Sequence, residues 1–153
     1  MSNQDCQLIG IAIAPKIMAD METRDHVTIA VDTGIEGDAR GRKRGRQISI
    51  LFEEDWQDAV AETGPAMDWV ERRANLFVRG MRSPQEEGGI FTIGDVTLEV
   101  AMETDPCEIM EGKRSGLRKA MTPAWRGGVC CVVKSGGQIK QGDVVRYTPP
   151  SSD

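Results

Sequence analysis

Apolar residues fall along this chain in short alternating or continuous runs bounded by glycine, proline or aspartate, which is the pattern of strands. Leu8–Ala14 reads LIGIAIA and stops at Pro15. His26–Val31 mixes β-branched and polar positions and runs into a turn-rich stretch, Asp32-Thr33-Gly34-Ile35-Glu36-Gly37-Asp38. Gln47–Phe52, Ile90–Ile93, Val96–Met102, Val129–Val133 and Val144–Tyr147 are the remaining predicted strands. Gly94-Asp95 is a two-residue hairpin signal, and Ser135-Gly136-Gly137 and Gly142-Asp143 read as turns.

Three stretches predict helices. Glu53–Glu62 opens with acids that suit the positive end of a helix dipole, and Gly64-Pro65 stops it. Met67–Ala74 is a shorter candidate, and Ser115–Met121 a third, ended by Thr122-Pro123. Many short strands, few helices and 17 glycines predict a mainly β domain: a closed or partly open antiparallel β-barrel with a few short helices. At 153 residues the chain fits one domain, assigned to residues 8–147. Residues 1–7 then form a flexible N-terminus and residues 148–153 a frayed tail.

Charge and composition narrow the function classes. Nineteen basic and 24 acidic residues give a net charge of −5, which argues against a general nucleic-acid binder. Three Phe, three Trp and one Tyr offer little surface for stacking bases, so nucleic acid is not an expected partner. A single histidine excludes a His-rich zinc site or a HExxH protease. The N-terminus lacks the charged and apolar regions of a signal peptide, and no apolar run approaches a membrane span. Cys6, Cys107, Cys130 and Cys131 contain no CxxC pair, and adjacent Cys130 and Cys131 point to opposite faces of a strand. A cytoplasmic protein with reduced thiols and no membrane contact is expected.

Four segments carry candidate chemistry. Arg40–Arg46 reads RGRKRGR, with five basic residues and no acid. It is either a solvated, self-repelling loop or an anion clamp whose guanidinium forks match phosphate. Glu71-Arg72-Arg73-Ala74-Asn75-Leu76 is either a polar helix end capped by Asn75 or a junction placing Arg73 and Asn75 beside a pocket. Cys107 starts a loop after a strand, with Lys113, Arg114 and Arg118 following, so it is a candidate nucleophile or soft-metal ligand. Cys130 and Cys131 read as buried strand residues, Cys6 as part of the loose N-terminus, and His26 as a surface residue. Trp125-Arg126-Gly127-Gly128-Val129 permits close backbone approach to a ligand, or a tight turn.

The order of these motifs resembles the MOSC domain, found at the C-terminus of molybdenum cofactor sulfurases and as a stand-alone bacterial protein. The resemblance is carried by Gly34-Ile35-Glu36-Gly37-Asp38, Arg46-Gln47-Ile48-Ser49-Ile50-Leu51, Arg73-Ala74-Asn75-Leu76, Ile93-Gly94-Asp95, Pro106-Cys107, Arg126-Gly127-Gly128-Val129 and a final Gly136 to Asp143 segment. It implies a barrel of the MOSC or pyruvate-kinase β-barrel type that binds the molybdenum cofactor (molybdopterin), an anionic pterin carrying a terminal phosphate. Cys107 is then the catalytic position and metal ligand, or carries sulfur. Arg73, Asn75, Arg40, Arg46, Arg126, Gly127 and Gly128 are the implied cofactor-binding residues. The resemblance also implies sulfur transfer, or molybdenum-dependent reduction of N-hydroxylated compounds. A separate cysteine desulfurase or electron-donor protein is the expected partner, and pyridoxal phosphate is not expected in this chain. The alternative is a non-catalytic barrel that binds a phosphorylated ligand or partner through the Arg40–Arg46 loop.

Overall fold

The computed structural model describes residues 4–42 and 45–151. Lys43 and Arg44 of the basic loop lie outside the described residues. The elements are β1 (Gln4–Ile13), β2 (Glu22–Thr23), β3 (His26–Ala30), β4 (Gly34–Ile35), β5 (Ile48–Phe52), α1 (Glu53–Ala61), a 3₁₀ turn over Trp69–Arg72, and β6 (Leu76–Arg79). They continue with β7 (Ile90–Ile93), β8 (Val96–Glu103), α2 (Glu108–Lys113), α3 (Leu117–Met121), a 3₁₀ turn over Pro123–Trp125, β9 (Val129–Ser135), β10 (Gly137–Lys140) and β11 (Val144–Thr148).

Seven strands close into a barrel in the order β11-β7-β8-β9-β5-β6-β1, and β1 returns to pair with β11. Alternation explains which faces turn inward. In β8, Val96, Leu98 and Val100 are buried while Thr97 and Glu99 are partly exposed. The interior is filled by Leu8, Ile11, Ile48, Ile50, Phe52, Leu76, Val78, Phe91, Leu98, Val129 and Cys131, among others. Gly94 takes the positive φ that a two-residue hairpin between β7 and β8 demands at its first loop position. A small sheet, β10-β3-β4, sits beside the barrel.

The barrel departs from the antiparallel expectation at one seam, where β5 and β6 run parallel with Ile50 opposite Leu76 and Phe52 opposite Val78. Parallel neighbours need a long crossover, and α1 with the following turn supplies it. Trp56, Ala59 and Val60 recur at helical spacing on α1 and pack with Leu51, Phe77, Met110, Leu117 and Met121 in a second cluster outside the barrel wall.

Other boundaries also moved. The barrel starts at Gln4 instead of Leu8, because Gln4–Gln7 pair with Val144–Tyr147. Cys6 is therefore a buried core residue. The Met67–Ala74 segment is not an α-helix but one 3₁₀ turn, capped by the Asp68 carboxylate accepting from the Val70 N–H at 3.1 Å. Gly137 begins a strand paired with β3, so only Gly136 remains of that predicted turn. There a Cβ on Gly136 would overlap the Ile29 carbonyl oxygen, so the glycine permits close strand approach.

Candidate functional site

The site is built where the crossover enters β6. Arg73 ends the 3₁₀ turn in the left-handed region, at φ 66° and ψ 30°. A residue with a Cβ costs roughly 1–2 kcal/mol there, and such strain persists where surrounding bonds fix it. Those bonds are present on both sides. The Arg40 Nη1 donates to the Arg73 carbonyl at 2.9 Å. Two residues on, buried Asn75 stitches β5 to β1. Its Oδ1 accepts from the Ser49 N–H at 3.0 Å and its Nδ2 donates to the Ala12 carbonyl at 3.1 Å.

A cavity of about 300 Å³ opens beside this junction. Its wall includes Arg40, Arg46, Arg72, Arg73, Ser49 and Asn75 on one side, and Thr104, Asp105, Cys107 and Cys130 on the other. Five residues singled out from sequence, Arg40, Arg46, Arg73, Asn75 and Cys107, thus meet in one place. Larger hollows lie elsewhere, including an open groove of about 620 Å³ along Asp25, His26 and Gln138–Gln141. Size does not locate the chemistry here, because that groove gathers neither thiols nor arginines.

Arg72 was not among the sequence candidates, yet it is the most distinctive group in the cavity. It is 7% exposed. Its Nε and Nη2 donate to the Gly127 carbonyl at 3.3 and 3.1 Å, and Nη2 also donates to the Thr104 carbonyl at 3.1 Å. Among the described residues no carboxylate lies within ion-pair distance of it. Burial lowers its pKa from the usual arginine value, while the Cys107 and Cys130 thiols oppose that shift. Its hydrogen bonds go to carbonyl oxygens and the Asp105 carboxylate acts on it only from beyond ion-pair distance, so it attracts an anion, since a buried charge costs several kcal/mol until it is paired. Arg40 differs, for its guanidinium faces Asp38 Oδ1 at 3.4 Å, and the Asp38 side chain is fully buried. That pair anchors the loop to the barrel, because Asp38 Oδ1 also accepts from the Ala14 N–H at 2.8 Å. Arg46 is exposed at the mouth.

Cys107 is exposed and precedes α2, where its carbonyl accepts from the Met110 N–H at 3.0 Å. Cys130, 4% exposed, reaches the same cavity from β9, with its Sγ 3.1 Å from Thr104 Oγ1. Both cysteines are buried on opposite faces of β9: Cys130 faces the cavity, while Cys131 lies inside the barrel with its pKa pushed well up by burial and then by Cys130. Three exposed apolar side chains, Ile17 at 60%, Met18 at 71% and Ile109 at 39%, line the opening.

Arg126, Gly127 and Gly128 do not line the cavity. Arg126 is held outside it by the Ala120 carbonyl at 2.8 Å and Glu62 at 2.9 Å. A Cβ on Gly127 would overlap the Thr104 carbonyl oxygen and press on Arg72 Nη2. On Gly128, at φ 94°, it would overlap the Ile50 carbonyl oxygen. These glycines act at one remove: they let three backbones converge so that Gly127 can offer its carbonyl to Arg72. Arg42 is exposed and does not reach the cavity wall. Among the described residues no cluster of three or more His, Cys, Asp or Glu side chains could hold a metal ion alone, and no helix is long and apolar enough to cross a membrane.

A family model described as "MOSC domain" matches residues 37–146. Among solved structures, the YuaD protein of Bacillus subtilis is similar over 95% of this chain and 97% of its own, at 22% identity and a TM-score of 0.79. YiiM of Geobacillus stearothermophilus is similar over 94% of this chain and 75% of its own, at 15% identity and a TM-score of 0.74. YiiM of Escherichia coli is similar over 96% and 72%, at 16% identity and a TM-score of 0.67. No curated protein matches the chain.

Proposed function

The chain belongs to the MOSC domain family, and from that premise we propose that its arginine-lined cavity binds the molybdenum cofactor, with Cys107 as sulfur carrier or metal ligand. The observation that carries the reading is buried Arg72, a cation with no carboxylate within ion-pair distance among the described residues, sharing one cavity with the exposed Cys107 thiol. An anionic ligand supplies the missing counter-charge, and a thiol is the donor suited to a soft metal with sulfur ligands.

Further features support this ligand class. Cys107 would offer a metal one soft sulfur donor, which suits a group that brings further sulfur ligands of its own, as a pterin dithiolene does. The cavity volume lies at the lower end of small-molecule sites, roughly 300–1,000 Å³. Its open mouth leaves room for a ligand to extend past Ile17, Met18 and Ile109. Arg46 and Arg73 lie where a terminal phosphate would find a guanidinium partner, without an ion pair of their own among the described residues. When bound, the cofactor supplies a redox-active metal centre. The chain's own residues bind and orient it: Arg72 and Arg73 by charge, Asn75 and Arg40 by holding the wall, and Cys107 by its exposed sulfur.

Within this reading Cys107 serves as a sulfur carrier, receiving sulfur from a separate cysteine desulfurase. Reduction of N-hydroxylated compounds is the competing role, and it requires an electron-donor protein. The test is to co-express the chain with the cofactor-synthesis enzymes and measure molybdenum and pterin in the purified protein. The expected result is near-equimolar molybdenum and pterin in wild type and a marked loss in Cys107→Ala. Empty protein in both overturns the proposal. Loaded protein that reduces an amidoxime with a flavin or iron–sulfur donor moves the assignment from carrier to reductase.

A further inference from the structure

A second thiol shares the cavity. Cys130 lies in β9 between Val129 and Cys131, which are both enclosed by the barrel, whereas Cys130 lines the same cavity wall as Cys107. Thr104 connects the two cysteines. Its Oγ1 touches Cys130 Sγ at 3.1 Å. It stands three residues before Cys107, so the chain between them spans at most about 11 Å. From Thr104 to Cys107 the backbone has no regular secondary structure, so a local shift there does not break a strand or a helix. Arg72 faces this pair as a cation with no carboxylate within ion-pair distance among the described residues, with its Nη2 on the Thr104 carbonyl.

We propose that Cys107 and Cys130 form a dithiol couple in which Cys130 resolves a persulfide carried on Cys107. This rests on the sulfur-carrier reading of Cys107. The Cys130 thiolate attacks Cys107 Sγ, the bond between that Sγ and the outer sulfur breaks, and a Cys107–Cys130 disulfide forms. The outer sulfur takes the electron pair and a proton and leaves as hydrogen sulfide. The two cysteine sulfurs are oxidised by two electrons in total, and the outer sulfur is reduced by two. A small-molecule thiol such as glutathione then reduces the disulfide in two exchange steps, returning both cysteines to the thiol state. Arg72 is the positive counter-charge for the attacking thiolate and for the departing sulfide.

The structure separates this role from that of an inert buried cysteine. Cys131 is surrounded by apolar side chains inside the barrel and has no path to Cys107. Cys6 lies in the core on β1, on the opposite flank of β6 from β5. Only Cys130, among the described cysteines, shares the cavity wall with Cys107.

The experiment loads anaerobic protein with inorganic polysulfide, removes the excess by desalting, and follows released sulfide and intact mass. Wild type is expected to release about one equivalent of sulfide and end about two mass units below the reduced protein, with a 107–130 linked peptide. Cys130→Ser is expected to keep the added sulfur on Cys107 and to release at least tenfold less sulfide. Wild type that retains its added sulfur as long as Cys130→Ser overturns the dithiol couple. Treatment with diamide, which needs no persulfide, tests the couple apart from the carrier reading. A 107–130 disulfide in wild type supports it, and disulfides between the Cys107 thiols of two molecules, with Cys130 still a free thiol, overturn it. Failure of Cys130→Ser to take up sulfur at all overturns the carrier reading instead.

Discussion

Replacing Arg72 by methionine removes the one buried guanidinium in the cavity that has no carboxylate partner, while keeping much of its volume. At about 5 Å and an effective dielectric near 20, one unit charge acting on another amounts to about 3 kcal/mol. Hydrogen bonds to charged groups contribute roughly 1.5–3 kcal/mol. Taking about 1.5–3 kcal/mol as the surviving loss, anion affinity falls by about 10- to 150-fold. Arg42→Met is the control, since that guanidinium is exposed and does not reach the cavity wall, and the expected loss is under about threefold. Stability should respond less than affinity. The Thr104 and Gly127 carbonyls lose their donor, at about 1–3 kcal/mol each, while relief of an unpaired buried charge offsets several kcal/mol. Calorimetric titration of both variants with inorganic molybdate, alongside thermal melts, makes the comparison. Equal losses in the two variants, or none in Arg72→Met, refute the idea that uncompensated charge at Arg72 drives anion binding.

Other residues give independent checks. Gly128→Ala combines a left-handed φ with overlap onto the Ile50 carbonyl, so a cost of about 3 kcal/mol is expected, read as a drop of about 6–12 °C in Tm. Asn75→Ala strands the Ser49 N–H and the Ala12 carbonyl, and a urea melt should show about 3 kcal/mol lost. Asn75→Asp should cost more, because it turns an acceptor toward the Ala12 carbonyl. Burial raises the Tyr147 hydroxyl to about 12, and among the described residues that hydroxyl has no hydrogen-bond partner. The raised value means the native state holds its proton longer than the unfolded chain. Wild-type stability should therefore decline between about pH 10 and 12, and the wild-type minus Tyr147→Phe difference should isolate that decline.

Much of the barrel was legible because its strands keep a period of two and end at glycine, proline or aspartate. Strands with that signature, such as Val96–Glu103 and Ile90–Ile93, lie where the pattern puts them. The failures have local causes. Leu76–Arg79 is four residues long and buried on three of them, so alternation is too short to register. Glu108–Lys113 presents only Met110 to the core and contains a glycine, which leaves little helical periodicity. Parallel pairing of β5 with β6 is a tertiary choice, set by how α1 packs across the wall, and leaves no mark in either strand's own sequence.

The site divides the same way. Cys107 stands out from sequence because a lone thiol among polar and cationic residues is unusual, and Arg40–Arg46 because five cations occur together. Arg72 gives no such sign: in Glu71-Arg72-Arg73 it reads like its neighbour. Only the left-handed turn at Arg73 sends the two side chains to different surroundings, one buried beneath Gly127 and one at the wall. Gly127 and Gly128 read from sequence as a close approach to a ligand or a tight turn, and in the structure what approaches them is the Thr104 and Ile50 backbone, not the cavity. Cys130 was hidden by its setting in an apolar run, where alternation indicates that one of the two adjacent cysteines faces outward but not what it meets there.

The central proposal is that the cavity binds the molybdenum cofactor with Cys107 supplying it a sulfur, either the sulfur it carries or its own thiolate. X-ray absorption at the molybdenum edge of cofactor-loaded protein tests it directly. The account predicts one more sulfur neighbour at molybdenum in wild type than in Cys107→Ser. An unchanged sulfur count in protein that still carries its cofactor contradicts it.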